Sequence, residues 1–260
     1  MVRFRTAARA HRASRNHLIL DGVKLIHDTH RRGAIFDAVI VSALALRNTD
    51  TTLLQLVREL ESDNVEVVAA SESVMAAVSP VRSPSNAVAL MTHRPVTLEH
   101  VFSHNPTESA CVIAPTGVQD PGNLGAIIRA ADASGANGVA VTNGSTDPYG
   151  WKALRGAMGS TFRLPVSDIG DLEQVVTMAH TYRYRVSAAL PHGGRSVYDA
   201  DLTGSLLLLI GNEGSGLERA SYEMADEVIS VPMAPSVESL NVAVAAAVLL
   251  YEVRRQRSHR

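Results

Sequence analysis

Three segments in the second half of the chain put polar residues where an apolar, strand-like run ends and helical periodicity begins. The first reads Ala114-Pro115-Thr116-Gly117-Val118-Gln119-Asp120-Pro121-Gly122-Asn123-Leu124-Gly125-Ala126-Ile127-Ile128-Arg129. Its turn formers precede Asn123, which stands at a plausible helix N-cap with a side chain able to serve orphan amides or a ligand. Arg129 follows six residues later, roughly 600° around a helix, so the two do not share a face. A cation acting on a substrate and an exposed helical arginine in a surface ion pair are both compatible with that position.

The second segment is Leu206-Leu207-Leu208-Leu209-Ile210-Gly211-Asn212-Glu213-Gly214-Ser215-Gly216-Leu217. An apolar run without a polar break describes a strand buried on both faces in the middle of a parallel sheet. The glycines after it let main chain approach something closely. Their spacing matches neither the dinucleotide fingerprint nor the phosphate loop, which needs Lys-Ser or Lys-Thr after its last glycine. Glu213 would repel a phosphate but suits a cationic sulfonium or a hydroxyl donor. The third segment, Val231-Pro232-Met233-Ala234-Pro235-Ser236-Val237-Glu238-Ser239-Leu240-Asn241, opens a helix whose interior is apolar almost all round. Ser239 reads as its N-cap and predicts a helix buried on most sides. Asn241 would then be an amide inside a buried helix, which must find hydrogen bonds or cost about 1 to 3 kcal/mol.

The elements that must hold these segments alternate along the whole chain. Strand-length apolar runs fall at 17–20, 38–42, 65–69, 87–91, 110–114, 138–142, 185–189, 206–210 and 227–231, and helical periodicity at 22–32, 51–61, 123–134, 172–182 and 239–257. That alternation predicts α/β architecture with mainly parallel sheets, in which ligands sit beyond the carboxyl ends of strands. Polar turn formers at 103–109 mark the best boundary and divide the chain into domains 1–104 and 105–260.

Composition narrows the class. With 46% hydrophobic residues in 260, the chain can form two real cores. No apolar run approaches the roughly 20 residues of a membrane helix, and the basic start lacks the apolar stretch of a signal peptide, so the expected location is the cytoplasm. The single cysteine, Cys111, has no disulfide or metal-ligand partner and reads as a small buried hydrophobe, and no metal is expected. A net charge of −2 hides basic ends. Arg3, Arg5, Arg9, Arg12 and Arg15 crowd an N-terminal arm at 1–16, where guanidinium forks would suit phosphates of a nucleic acid; a merely solvated arm is the alternative.

The three segments, in this order and spacing, resemble the motifs of the SpoU, or TrmH, family of RNA ribose 2′-O-methyltransferases in the SPOUT superfamily. The matching strings are 123–129, 210–217, and Val231-Pro232-Met233 with Ser239-Leu240-Asn241-Val242-Ala243-Val244. Arg155-Gly156-Ala157-Met158-Gly159-Ser160 also looks like the family's intervening segment, and 18–22 onward resembles more loosely an RNA-binding domain similar to a ribosomal protein that binds kinked RNA. Two positions depart from the pattern: Pro235 where the family often has glycine, and Asp21 where it usually has glutamate.

The resemblance implies a deep trefoil knot in the C-terminal domain, a homodimer, and S-adenosyl-L-methionine held by Ile210, Gly211, Val231, Met233 and Leu240. It implies a catalytic set of Arg129, Asn123, Glu213, Ser239 and Asn241. Structured RNA would be the substrate, with 23S ribosomal RNA favoured over transfer RNA because of the dedicated N-terminal domain. A catalytically silent RNA-binding protein of the same fold is the alternative from another class. The family places Arg129 beside the reacting hydroxyl, but a guanidinium with a pKa above about 12 is a poor literal base. A charged Arg129 that positions phosphate and stabilises a developing alkoxide fits the chemistry better.

Overall fold

The structure, a computed structural model, describes residues 2–9, 16–48, 50–81, 83–103, 109–212, 214 and 216–258. Side-chain surroundings are defined for all of these except residues 2, 5, 8 and 9. The chain divides into two compact units, Met1–Arg94 and Pro95–Arg260.

The first unit runs α1 (Val2–Arg9), β1 (His17–Asp21), α2 (Val23–His30), β2 (Phe36–Ser42), α3 (Ala43–Arg47), α4 (Thr51–Ser62), β3 (Val67–Ala70), α5 (Glu72–Val78) and β4 (Ala87–Thr92). Its sheet has the order β1-β4-β2-β3. Here the expectation of a mainly parallel sheet needs correction. β4 lies antiparallel to both neighbours, and only β2 and β3 are parallel. The cause is legible afterwards: Ala87 through Met91 are all buried, and a strand covered on both faces is continuously apolar whichever way it runs. The N-terminal segment is not a simple arm either. α1 is anchored by Phe4, 3% exposed, in a core with Ile40, Met75, Val88 and Leu90, while Arg3 is exposed. Arg5 and Arg9 fall within that helix, and Arg12 and Arg15 lie outside the described residues. Asp21 accepts from Ser79 Oγ (2.5 Å) and from the Ser85 amide (3.1 Å), so the aspartate ties the end of β1 to the loop before β4.

The second unit continues with α6 (Leu98–Ser103), β5 (Cys111–Pro115), α7 (Pro121–Ser134), β6 (Gly138–Ala140), α8 (Trp151–Ala157), a 3-10 turn (Ser160–Phe162), β7 (Val166–Ser167) and α9 (Leu172–Thr181). It ends with β8 (Arg185–Ala189), β9 (Arg195–Ser196), β10 (Leu206–Ile210), α10 (Arg219–Tyr222), β11 (Glu227–Ser230) and α11 (Val242–Arg257). The strands form one sheet, β7-β6-β5-β10-β8-β11-β9, and every pair in it is parallel. β10 is fully buried, as its uninterrupted leucines require. β5 steps outward to β6 and β7 on one side and has β10 on the other, so strand order reverses between β5 and β10. Such reversals open a crevice at the carboxyl ends of the strands.

Both helix starts differ from the sequence reading. Asp120, not Asn123, caps α7, its carboxylate accepting from the Asn123 amide at 2.8 Å, with Pro121 at the first helical position. Asn241, not Ser239, caps α11: its side-chain oxygen accepts from the amides of Ala243 (2.9 Å) and Val244 (3.3 Å). The expected buried amide is therefore a satisfied cap, and 239–241 belong to the preceding loop. Nor is α11 buried all round, since Val244 and Tyr251 are about half exposed. Its far end is tied down by side chains. Arg257 donates to the carbonyls of Gly204 (2.7 Å) and Ala110 (3.2 Å), and Arg255 bonds Glu252 and holds that carboxyl below its usual range.

Candidate functional site

Three loops leave the carboxyl ends of β8, β10 and β11, and α11 closes over them. Between them lies a cavity of about 150 Å³. Ala189, Leu190 and Pro191 form its β8 wall, Ile210 to Asn212 with Gly214 and Gly216 its β10 wall, and Val231, Met233, Ser239 and Leu240 its β11 wall. Val242, Ala245 and Leu249 of α11 supply the lid. All five residues expected to hold the cofactor therefore face one space, together with Ser239 from the expected catalytic set.

The β10 wall explains why glycine stands at position 211. A Cβ there would sit 2.1 Å from the Gly216 carbonyl carbon and 2.3 Å from the Leu217 nitrogen, so the loop folds back onto its own start at a distance no side chain allows. The Asn212 amide donates to the Gly216 carbonyl (3.2 Å), and Asn212 Oδ1 accepts from the Gly214 amide (2.9 Å). Gly216 itself has φ 67°, in the left-handed region. Close approach, rather than an unusual φ, is thus what Gly211 provides.

Chemically the cavity is apolar side chain and main chain, with the polar side chains of Asn212 and Ser239. Among the described residues lining it none is charged, so nothing there would neutralise a polyphosphate. S-adenosyl-L-methionine fits this donor set. Its adenine can lie against aliphatic walls, its polar groups can meet loop amides and carbonyls, and its sulfonium meets no cation.

Among the described residues, the other members of the expected catalytic set, Asn123, Arg129 and Asn241, do not line the cavity. Asn241 Nδ2 donates to Asn123 Oδ1 at 3.1 Å, joining residues 118 apart in sequence and stitching the first motif to the third. Arg129 is exposed on α7 and forms no ion pair among the described residues. Glu213 lies outside the described residues. Cys111 is buried in β5, where desolvation pushes its thiol up to about 11 and keeps it protonated and unreactive.

Sequence reasoning missed the β8 wall and the α11 lid. The strand before Ala189–Pro191 was legible, but that β8 neighbours β10 was not. A usable signal existed in Gly193-Gly194: both have positive φ, and a Cβ on Gly194 would lie 2.4 Å from the Val228 carbonyl, which presses this loop onto β11.

Comparison with known proteins agrees with this architecture. Residues 110–251 match the model of the SpoU rRNA Methylase family. A 23S rRNA (guanosine(2553)-2′-O)-methyltransferase of Bacillus subtilis is 30% identical over 243 residues, spanning 94% of this chain and 90% of its own. The crystal structure of the SpoU methyltransferase AviRb from Streptomyces viridochromogenes in complex with AdoMet superposes with a TM-score of 0.86 at 28% identity, covering 99% of this chain and 97% of the other. An AdoMet-bound rRNA methyltransferase from Sinorhizobium meliloti does so with a TM-score of 0.83 at 26% identity, covering 98% and 93%. Because the family match spans more than half of the chain, on the unit whose loops build the cavity, this protein belongs to the SpoU rRNA methylase family.

Proposed function

We propose that the protein methylates the 2′-hydroxyl of a ribose in 23S ribosomal RNA, using S-adenosyl-L-methionine. The observation that carries this reading is the uncharged cavity whose walls are the second and third motifs, with Asn241 of the third bonded to Asn123 of the first. The cofactor, when bound, supplies an electrophilic methyl group on a sulfonium. Ile210, Gly211, Val231, Met233 and Leu240 hold it. Ser239, Asn241, Asn123 and Glu213 orient the ribose and the loops around it. Arg129, charged at neutral pH, positions a neighbouring phosphate and stabilises the alkoxide as the hydroxyl proton leaves. The choice of 23S RNA draws on the name of the Bacillus relative.

The first unit serves as the RNA-holding domain, with Arg3, Arg5, Arg9, Arg12 and Arg15 directed to phosphates, and the second does the chemistry. The fold reading extends to a deep trefoil knot among the loops after β10 and β11, as membership of the family implies. It extends also to a homodimer through α11, whose Val244 and Tyr251, seven residues apart on one face, are 50% and 51% exposed. Among the described residues no helix is long and apolar enough to cross a membrane, and we assign the protein to the cytoplasm, where ribosomal RNA is modified. Incubation with methyl-labelled S-adenosyl-L-methionine and a 23S transcript should label RNA at a single 2′-oxygen. Tight cofactor binding without transfer to 23S or transfer RNA would instead favour the silent RNA-binding alternative.

A further inference from the structure

α8 carries a feature that the cofactor cavity does not use. Its sequence, Trp-Lys-Ala-Leu-Arg-Gly-Ala over Trp151–Ala157, contains no acidic residue. Ala153, Leu154 and Ala157 are buried, whereas Trp151, Lys152 and Arg155 face solvent. Trp151 leaves 37% of its surface exposed, and Lys152 Nζ stands 5.5 Å from its ring centroid. An indole edge of this kind beside a cation offers a stacking platform as well as a charge.

The position of this face follows from glycine contacts. A Cβ on Gly125 of α7 would lie 2.5 Å from the Ala153 carbonyl and 2.9 Å from the Gly156 Cα, and a Cβ on Gly156 would lie 3.3 Å from the Gly122 carbonyl. The two helices therefore touch backbone to backbone. Gly156 sits against Gly122 and Gly125, which flank Asn123 at the start of α7, and Arg129 lies farther along the same helix. Among the described residues none of Arg129, Lys152 and Arg155 forms an ion pair. Of the carboxylates at the starts of α7 and α8, Asp120 caps α7 and Asp147 accepts from the Tyr149 amide.

We propose that the exposed face of α8 is an RNA-contacting surface beside the active site, on which Trp151 stacks an unpaired base of the substrate while Lys152 and Arg155 hold the flanking phosphates. The inference rests on the RNA methyl-transfer reading and adds which part of the substrate is read: a base splayed out of a helix near the target ribose. Aromatic stacking with adjacent cations is how proteins grip single-stranded RNA. RNA is favoured over a protein partner, including a second copy of this chain, because the helix presents two cations and no carboxylate beside the ring, which complements a phosphate backbone.

Trp151 is the chain's only tryptophan, so its emission reports on this face directly. Titrating the full-length protein with a 12-nucleotide single-stranded RNA should quench that emission saturably, and a 12-base-pair RNA duplex should quench it far less. Trp151→Ala, by loss of one stacked base, and Arg155→Glu, by loss and reversal of a phosphate-contacting charge, should each raise the KM for a 23S transcript about tenfold. They should leave the affinity for S-adenosyl-L-methionine and the far-UV spectrum unchanged; Arg155→Glu, on an exposed position, keeps the test valid if Trp151→Ala misfolds. Emission that stays constant on saturation with the single strand would overturn the proposal, as would a wild-type KM in Arg155→Glu. So would a change of sedimentation in Trp151→Ala with RNA affinity intact, which would make the face a contact between copies. If the wild-type protein transferred no methyl group to RNA, the functional reading would fall, and the emission titration would still decide whether α8 binds RNA.

Discussion

The cavity wall after β10 and the surface formed by α7 and α8 lie in the same unit, yet they are built by opposite means. In the wall the main chain is the functional material: Gly211 lies where any Cβ would strike the backbone of Gly216 and Leu217, and no charged side chain faces the space among the described residues. On the α7–α8 surface the main chain is only a platform, drawn together by Gly125 against Gly156, and exposed side chains such as Arg129 and Arg155 are what a substrate would meet. A site made of backbone tolerates no added atom. A site made of exposed side chains can lose one without structural damage, and loses function alone.

The largest effect that would break this contrast is at position 211. Gly211→Ala, and more so Gly211→Val, should weaken S-adenosyl-L-methionine binding by more than about 100-fold, a loss of roughly 2.7 kcal/mol. The loop must move to admit the new atoms, while the buried strand β10 and the α11 core remain to hold the fold. Calorimetric titration paired with circular dichroism of the same sample checks this. Retained binding would mean that the cofactor lies elsewhere, and joint loss of binding and fold would make Gly211 purely structural.

Arg129→Ala comes next. It should lower kcat by about 10² to 10³, the scale of removing one positioned donor, with cofactor affinity and melting temperature unchanged because the side chain is exposed. Arg129→Lys should remain badly impaired, since an ammonium cannot reproduce the fork. Near-normal transfer by the alanine variant would remove Arg129 from the mechanism.

Position 241 combines both kinds of construction, and a pair of substitutions separates them. Asn241→Ala should cost about 1 kcal/mol through loss of the α11 cap and should also impair transfer. Asn241→Asp keeps a capping oxygen but cannot donate to Asn123 Oδ1, so it should retain stability and still impair transfer. Equal activity of Asn241→Asp and wild type would reduce the link between the motifs to a cap.

What was legible in the sequence follows the same divide. The β10 wall announced itself because an unbroken leucine run must be covered on both faces and the spaced glycines after it admit close backbone approach, and the residues expected there do line the cavity. Helix starts were misread where two capable caps stand close together. Asp120 outcompeted Asn123, and Asn241 outcompeted Ser239, because a cap works through amides two or three positions downstream and only the backbone path decides which side chain reaches them. The parallel direction of the second unit's sheet, with β10 inside it, was legible, whereas strand order and the antiparallel pairing of β4 in the first unit were not. The apolar runs of β4 and β10 look alike, although one is antiparallel to both neighbours and the other parallel to both. α8, at seven residues, was too short for periodicity to reveal.

The smallest effect concerns the end of α8, where Met158 adopts φ 50° and ψ 43° with half its surface exposed. This is the left-handed conformation that ends many helices, and glycine is its usual occupant because a Cβ there costs roughly 1 kcal/mol. An exposed methionine recovers little of that cost by packing. Met158→Gly should therefore stabilise the protein by about 0.5 to 1 kcal/mol, net of the extra freedom glycine adds to the unfolded chain. Thermal and urea unfolding of the two proteins would resolve a difference of that size. The strain also separates the two kinds of construction once more. If Met158 is only a helix terminus, the glycine variant will be more stable and will methylate RNA with an unchanged KM. If the gain in stability comes with a higher KM for RNA, the strained side chain belongs with Trp151 and Arg155 on the substrate-contacting face. A less stable glycine variant would mean that the exposed side chain makes contacts strong enough to outweigh its backbone cost.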